Sequence, residues 1–515
     1  MVDSFDLKRF SSKERELMAR SVTGPYRRIV FNGFVGSDPR ADQNVSFKTP
    51  SRLYLREGGY LVVYNAPTII LINPWIHDFA AYDLWSKPLG LLYIAAYLKE
   101  TGFNVRIIDC LDVYHPEMEW SQSMFPPVRR KYGIGKYWRQ RIPAPPALSH
   151  VKRAYSRYGI TTDLFKKELQ RIKTPSAILV TSLMTYWYPG VREAIRLAKE
   201  VHPGVPVILG GIYARLCTEH ARQFSGADYI SPETYIPDMG FIIELFQELN
   251  IKASELPVKR RIIYPAFDLL SRFEYACILT STGCPYRCQY CASSYLYPSF
   301  SQRDPLDVIE EIKYWNRECD IIDFAFYDDA LLVNSERHAI PIMEGIIRSG
   351  LNIRFHTPNA VHVREISQEV AGLLHESGFF TIRLGLETSD MDRHDNLDKK
   401  VSEGDFEKAI KNLAKAGFGM RDIGAYILMG LPGQSVESVE DTIRFVDAAG
   451  AVPYLTEYSP IPHTHLWDKS IEYSSYDIAN EPLYHNNSLL PCWDEDKRQK
   501  VPGLRQMVKE IRQGG

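Results

Sequence analysis

No stretch of this 515-residue chain approaches the ~20 consecutive apolar residues that a membrane-spanning helix needs; the longest apolar runs lie near TIILINPWI and LGLLYIAAYL. Charge of one sign is not in excess either. With 61 Lys and Arg against 63 Asp and Glu, the formal net charge is −2, so no global field draws the chain to nucleic acid or to an anionic membrane. Eight cysteines in a chain of this length make no disulfide framework, and the opening MVDSFDLKRFSSKEREL holds no charged-then-apolar leader. Together these absences predict a protein of the reducing cytoplasm with no transmembrane segment. Length alone predicts more than one hydrophobic core.

What is present is TSTGCPYRCQYC, in which Cys284, Cys288 and Cys291 form CxxxCxxC directly after an apolar, strand-like run at 275–280. Three thiolates this close can hold three irons of a cubane, whereas an electron-transfer 4Fe-4S cluster has four cysteine ligands. An iron without a protein ligand is free to bind a substrate or cofactor. Zinc is the competing reading, but zinc sites draw four Cys or His ligands, often as paired CxxC units, and no second CxxC exists. The other cysteines, Cys110, Cys217, Cys277, Cys319 and Cys492, are scattered. No auxiliary cluster is expected from them.

Along the chain, residues 1–65 read as a mixed polar extension, with a short helix at 13–20 and a hairpin at 52–64 turning through Gly58-Gly59. Residues 66–250 alternate apolar strands with amphipathic helices. TIILIN, a helix at 89–99, VRIID ending at Asp109, AILVTS, a helix at 191–201 and VPVILGG predict a doubly wound α/β domain with a parallel sheet. Its ligand site is expected beyond the strand C-termini. The insertion at 111–173 is rich in Tyr, Trp, Arg and Pro, a composition that suits either a loop clasping a neighbouring domain or a grip on phosphates and stacked bases. Without a supporting positive field, nucleic acid is not the expected partner. A helix at 239–249 and a linker at 251–270 follow.

Residues 271–460 repeat a strand-helix unit six times, through YACILTS, IIDFAFYDD, NIRFHTPN, TIRLGLE, DIGAYILMGLPG and PYLTEYSP, with helices expected at 336–348, 368–376, 405–416 and 436–448 among the connections. Six units predict a partial (β/α)6 TIM-type barrel, which places its chemistry at the strand C-termini. Asp328, Asp329, Asn359, Glu387, Glu457 and Tyr458 stand there. The tail at 461–515 carries His463, His465, His485, Asn486 and Asn487 and is expected to cap the barrel mouth. Glu457, Tyr458 and His463 are the candidate catalytic residues for moving protons.

The cysteine spacing resembles the signature of the radical S-adenosylmethionine (SAM) superfamily. That resemblance implies a 4Fe-4S cluster whose open iron is chelated by SAM, and one-electron cleavage of SAM to methionine and a 5'-deoxyadenosyl radical. It implies Tyr290 against the adenine, Asp328 and Asp329 near the methionine, and Asn359 as a further polar contact at the SAM site. Glu387 would meet the amino group or ribose, with Gly430 of MGLPG beside the adenine. The preceding domain resembles the cobalamin-binding domain of the class B, cobalamin-dependent members, in which Ser182, Met184 (in place of Leu), Gly210 and Gly211 would flank the nucleotide tail. The DxHxxG motif of that domain is absent, since His77 and Asp78 have neither its order nor its spacing. Cobalamin would therefore bind without a protein histidine on cobalt, unless the domain has lost the corrin.

The implied function is hydrogen abstraction from an unactivated carbon, with cobalamin-dependent C-methylation as the outcome if cobalamin is held. Cobalamin-free rearrangement, cyclisation or coupling is the alternative within the family. A non-catalytic iron-sulfur redox or electron-transfer protein is the alternative outside it. A methylthiotransferase acting on transfer RNA fits less well, because its first domain would need three cysteines and only Cys110 and Cys217 precede the linker. The implied partners are a small-molecule or other organic substrate and an external one-electron donor such as flavodoxin or ferredoxin.

Overall fold

In a computed structural model the described residues are 52–57, 60–121, 123–231, 239–253 and 263–514, excepting the side chains of 52–65, 395, 396 and 514. The helix expected at 13–20 and the Gly58-Gly59 turn lie outside them. The hairpin strands Arg52–Glu57 and Tyr60–Asn65 pair antiparallel.

Five parallel strands form the first sheet: β1 (Thr68–Asn73), β2 (Asn104–Asp109), β3 (Pro175–Val180), β4 (Val207–Leu209) and β5 (Tyr229–Ile230). Their spatial order is β2-β1-β3-β4-β5. The near-continuous apolar runs of β1 and β3 follow from burial on both faces, by α1 (Leu89–Glu100) and α2 (Thr162–Arg171) with α3 (Tyr188–Val201) and α4 (Gly240–Glu248). In this order the chain reverses direction between β1 and β3. Ligands of doubly wound sheets bind at that switch point, beyond the strand C-termini. Ser182 follows the C-terminus of β3, which borders that point, and the Gly210-Gly211 turn follows the C-terminus of β4.

The second sheet is an open parallel barrel of β6 (Tyr275–Ile278), β7 (Asp323–Phe326), β8 (Arg354–His356) continued by β9 (Val361–His362), β10 (Phe379–Glu387), β11 (Ile423–Met429) and β12 (Val452–Glu457), in sequence order. The helices α5 (Pro305–Cys319), α6 (Ala339–Ser349), α7 (Gln368–Glu376), α8 (Asp405–Ala416) and α9 (Val436–Ala448) return the chain between strands. Local chemistry sets their ends: Asp304 accepts from Leu306 N at 2.8 Å with Pro305 in the first turn, and Ser367 and Ser435 cap α7 and α9. A last helix, α10 (Glu495–Gly514), lays Val501, Leu504 and Val508 into the barrel core beside β12 and α9.

Residues Ser51–Gly515 form one unit, and the insertion helps to hold it together. It carries three strands of a small antiparallel sheet, in the order 76–78, 156–158, 139–141, 124–125. Its Arg129 is tied to Asp83 at 2.7 Å and its Arg157 to Glu193 at 2.9 Å. The segment before α1 enters the barrel. The Trp85 ring stacks on His356 of β8 at 4.1 Å and on Tyr132 of the insertion at 5.9 Å, and meets Tyr275 of β6 at 5.0 Å. The Trp85 carbonyl accepts from the Tyr327 hydroxyl and the Cys277 thiol. Removing a buried Trp costs about 3–5 kcal/mol. Trp85→Ala is therefore expected to lower the urea midpoint of the barrel transition by that equivalent, and an unchanged midpoint would deny Trp85 this role.

Candidate active site

The cysteine loop leaves β6 under close restraint. Asp328, at the end of β7, accepts from Thr280 N (3.1 Å), Thr280 Oγ1 (2.7 Å) and Ser281 Oγ (2.6 Å). His338 Nε2 is hydrogen-bonded to the same Thr280 oxygen at 2.8 Å. Asp328 thus anchors the loop from beneath, and its oxygens are engaged by protein donors.

Within the loop Cys288 is buried, and Cys284 and Cys291 are half-buried. Burial raises all three thiols, Cys288 to about 11, with the Lys400 ammonium pulling the other way. Each thiol also feels another: Cys288 acts on Cys284, Cys291 on Cys288 and Cys284 on Cys291. Yet among the described residues no three His, Cys, Asp or Glu side chains close tightly enough to share one metal ion. Three neighbouring thiols are one ligand short of the four cysteines that close an electron-transfer cubane. The Ser293 amide donates to Cys291 Sγ at 3.4 Å, as ligating sulfurs require. By donor chemistry the loop fits the cluster.

Tyr290 of the loop joins Glu387 and Lys400, and Asp329 joins Ser293 just past the loop. Tyr290 packs on Leu397, Leu428, Leu431 and Tyr458, and its hydroxyl donates to Glu387 Oε1 at 3.1 Å. Glu387 ends β10 with φ +66°; burial raises its carboxyl and Lys400 opposes that. Asp329 accepts from Ser293 Oγ at 2.6 Å, and its charge reaches Cys284 and Cys291. Lys400 escaped the sequence analysis because LDKKVSEG reads as a solvated charge run. In the fold its Nζ lies 3.3 Å from the Tyr290 hydroxyl, and the charges of Cys288, Glu387 and Asp398 hold its ammonium protonated.

The remaining expected residues separate. Asn359 is exposed and donates to Tyr327 O at 2.8 Å. Gly430 donates its N–H to Gln434 Oε1 at 2.9 Å, and a Cβ there would come 2.7 Å from Leu490 of the tail. Glu457 pairs with Arg505 of α10 at 2.8 Å, and Tyr458 bonds Ser470 Oγ at 2.9 Å behind the Tyr290 wall. His463 stacks on Tyr295 at 4.1 Å and donates to Leu216 O at 3.2 Å. These three do not face a common point. In the tail, His485 joins Thr185 Oγ1 at 2.8 Å and Asn486 donates to Asp78 at 2.8 Å, so both bolt the tail to the first sheet.

Beyond the C-termini of β3 and β4, Ser182 Oγ donates to Gly210 O at 2.6 Å and Ser182 O accepts from Ile212 N at 2.8 Å. Gly211 has φ +91°, and a Cβ would stand 2.3 Å from Ser182 O, so the turn demands glycine. Gly210 is different: a Cβ would meet only Ser231 Cβ, at 3.6 Å, among the described residues. Among the described residues the turn leaves a bare backbone shelf at Gly210, and Met184 is exposed. That cradle fits a ligand pressed against the chain, as the nucleotide tail of a corrin would be. The helix Ile212–Leu216 carries the turn to the cluster loop, with Arg215 over the Tyr295 ring at 5.1 Å.

The Radical SAM superfamily family matches residues 278–446. The uncharacterized methyltransferase PH0819 of Pyrococcus horikoshii is 25% identical over 362 residues, covering 64% of this chain and 76% of that protein. The hopanoid C-2 methylase of Rhodopseudomonas palustris is 23% identical over 294 residues, 52% of each. Among solved structures, the radical SAM methyltransferase TsrM from Kitasatospora setae, with cobalamin and a [4Fe-4S] cluster bound, is similar with a TM-score of 0.58 at 15% identity, over 87% of this chain and 89% of that one. This last likeness is one of fold, and it covers both sheets together.

Proposed function

From the premise that the chain belongs to the radical SAM superfamily, whose domain it carries at 278–446, we propose that it is a cobalamin-dependent radical SAM methyltransferase acting on an unactivated carbon of a small organic substrate. The cluster, SAM and cobalamin, when bound, supply one electron, a 5'-deoxyadenosyl radical and a methyl group. The carrying observation is that the cysteine loop brings its Tyr290 hydroxyl between Lys400 Nζ and Glu387 Oε1, while Ser293, whose amide donates to Cys291 Sγ, holds Asp329. A carboxylate needs a cation, and an ammonium or ribose hydroxyl needs acceptors. Lys400 supplies the first and Glu387 and Asp329 the second, while Tyr290 offers a flat apolar face to the adenine.

The relatives named as methyltransferases or methylase and the bare Gly210 shelf support methylation as the outcome. Residues 66–250 would hold the corrin and 271–460 the cluster and SAM. An external flavodoxin or ferredoxin would supply the electron, in the reducing cytoplasm. Among the described residues no helix is long and apolar enough to cross a membrane.

Anaerobic reconstitution with iron and sulfide tests this reading. SAM is expected to change the reduced cluster's EPR signal, and a low-potential reductant to release 5'-deoxyadenosine. A cluster indifferent to SAM would make this a redox protein instead.

A further inference from the structure

His362 has no place in the site as built so far. It ends β9 in register with Gly385 of β10, and paired residues on adjacent strands share a face. On that face a Cβ at Gly385 would lie 3.3 Å from Glu387 Oε1. His362 and Glu387 therefore flank the same space at the barrel rim. Across from them the Tyr286 ring, between Cys284 and Cys288, meets the imidazole at 4.6 Å and 65° and is fixed by its hydroxyl to Glu365 at 3.2 Å.

The ring is 5% exposed, yet among the described residues its buried Nδ1 has no hydrogen-bond partner. An unmatched buried polar group costs about 1–3 kcal/mol, and native structures hold few of them. A partner supplied by a bound cofactor removes that cost. Burial, with the Lys400 charge adding to it, pushes the imidazole down to about 3. The ring is neutral and carries one N–H.

We propose that His362 is a positioning residue of the cofactor chamber, its ring N–H donating to an anionic acceptor that the bound cofactors bring. The inference rests on the reading of this site as a cluster and SAM site. Two acceptors there share the required chemistry: a sulfur of the cluster and the carboxylate of SAM. A bond to sulfur stabilises the more negative, reduced cluster and raises its potential. A bond to the carboxylate tightens SAM binding.

The test compares reconstituted wild type with His362→Phe, which keeps the bulk against Tyr286, and His362→Gln, which keeps an N–H at a different point. Equal iron content establishes that each has folded around the loop. An EPR redox titration without SAM is followed by a SAM titration of the reduced protein. If sulfur is the acceptor, Phe is expected to lower the reduced-to-oxidised ratio at fixed potential about tenfold, or 59 mV for one electron, with a smaller shift for Gln. If the carboxylate is the acceptor, the potential stays and the SAM Kd rises about tenfold in Phe. Should Phe fail to load iron, Gln is read in its place. Potential and SAM affinity both at wild-type values in the variant that loads would overturn the role of His362. A wild type whose cluster ignores SAM would instead overturn the site reading beneath it.

Discussion

Serine in place of Cys284, Cys288 or Cys291, one at a time, is expected to give a folded protein that retains no stable cubane and releases 5'-deoxyadenosine only at background when SAM and a low-potential reductant are supplied. The loop offers three thiols, and a hydroxyl gives up its proton far less readily than a thiol. The groups nearest to the lost ligand do not replace it, since Lys400 is a cation and Asp329 is engaged by Ser293. The fold is expected to persist because the loop is anchored elsewhere, through Asp328 to Thr280 and Ser281. Iron and sulfide per chain, the absorption of the cluster and released 5'-deoxyadenosine are the measurements. Cys319→Ser, at the last residue of α5, is the control and is expected to behave as wild type. A loop variant with full iron content and SAM cleavage would place the cluster elsewhere in the chain.

Much of the barrel is legible in the sequence where local chemistry decides it. The helices at 368–376, 405–416 and 436–448 are read to the residue, because Ser367 and Ser435 cap their starts and Gly417 closes α8 with φ +111°. The helix expected from Glu336 instead begins at Ala339, because His338 leaves helical geometry at φ −133° and reaches Thr280. That exchange depends on a contact across 58 residues, which no window can register. The strand read as NIRFHTPN stops at His356, ahead of Pro358, which has no N–H for a ladder, and pairing resumes beyond it as β9 at Val361.

Two helices lie outside the expected elements. The helix α10 contains Pro502 and Gly503, residues that punctuate helices, and it is held by burial of Val501, Leu504 and Val508. The helix α2 does have local signals, Thr161 as its N-cap and Leu164, Phe165 and Leu169 on its buried face, but they stand at the end of an insertion dominated by aromatic and basic residues. For the site, the cysteines and Glu387 are visible because motif spacing is local. Lys400 and His362 are not, since each acquires its role only when loops distant in sequence close over the cysteines.

The corrin assignment gives the sharpest separation of fold from function. Gly210 and Gly211 are adjacent but glycine for different reasons. At Gly211 the backbone is left-handed and Ser182 O stands 2.3 Å from where a Cβ would be, so Gly211→Ala is expected to destabilise the domain by about 1–3 kcal/mol. At Gly210 φ lies outside the left-handed region, and a Cβ finds its nearest described neighbour at 3.6 Å, an ordinary contact. Nothing in the described chain requires glycine at 210; a ligand pressed against the turn would. Gly210→Val is therefore expected to melt within about 1 kcal/mol of wild type and to keep its cluster and its SAM cleavage, while cobalamin retained through gel filtration falls at least about tenfold, the equivalent of 1.4 kcal/mol. Gly211→Ala, by contrast, is expected to lose corrin and stability together. A Gly210→Val protein that retains cobalamin as wild type does would remove the shelf from the corrin site, and with it the structural support for methylation over other radical outcomes.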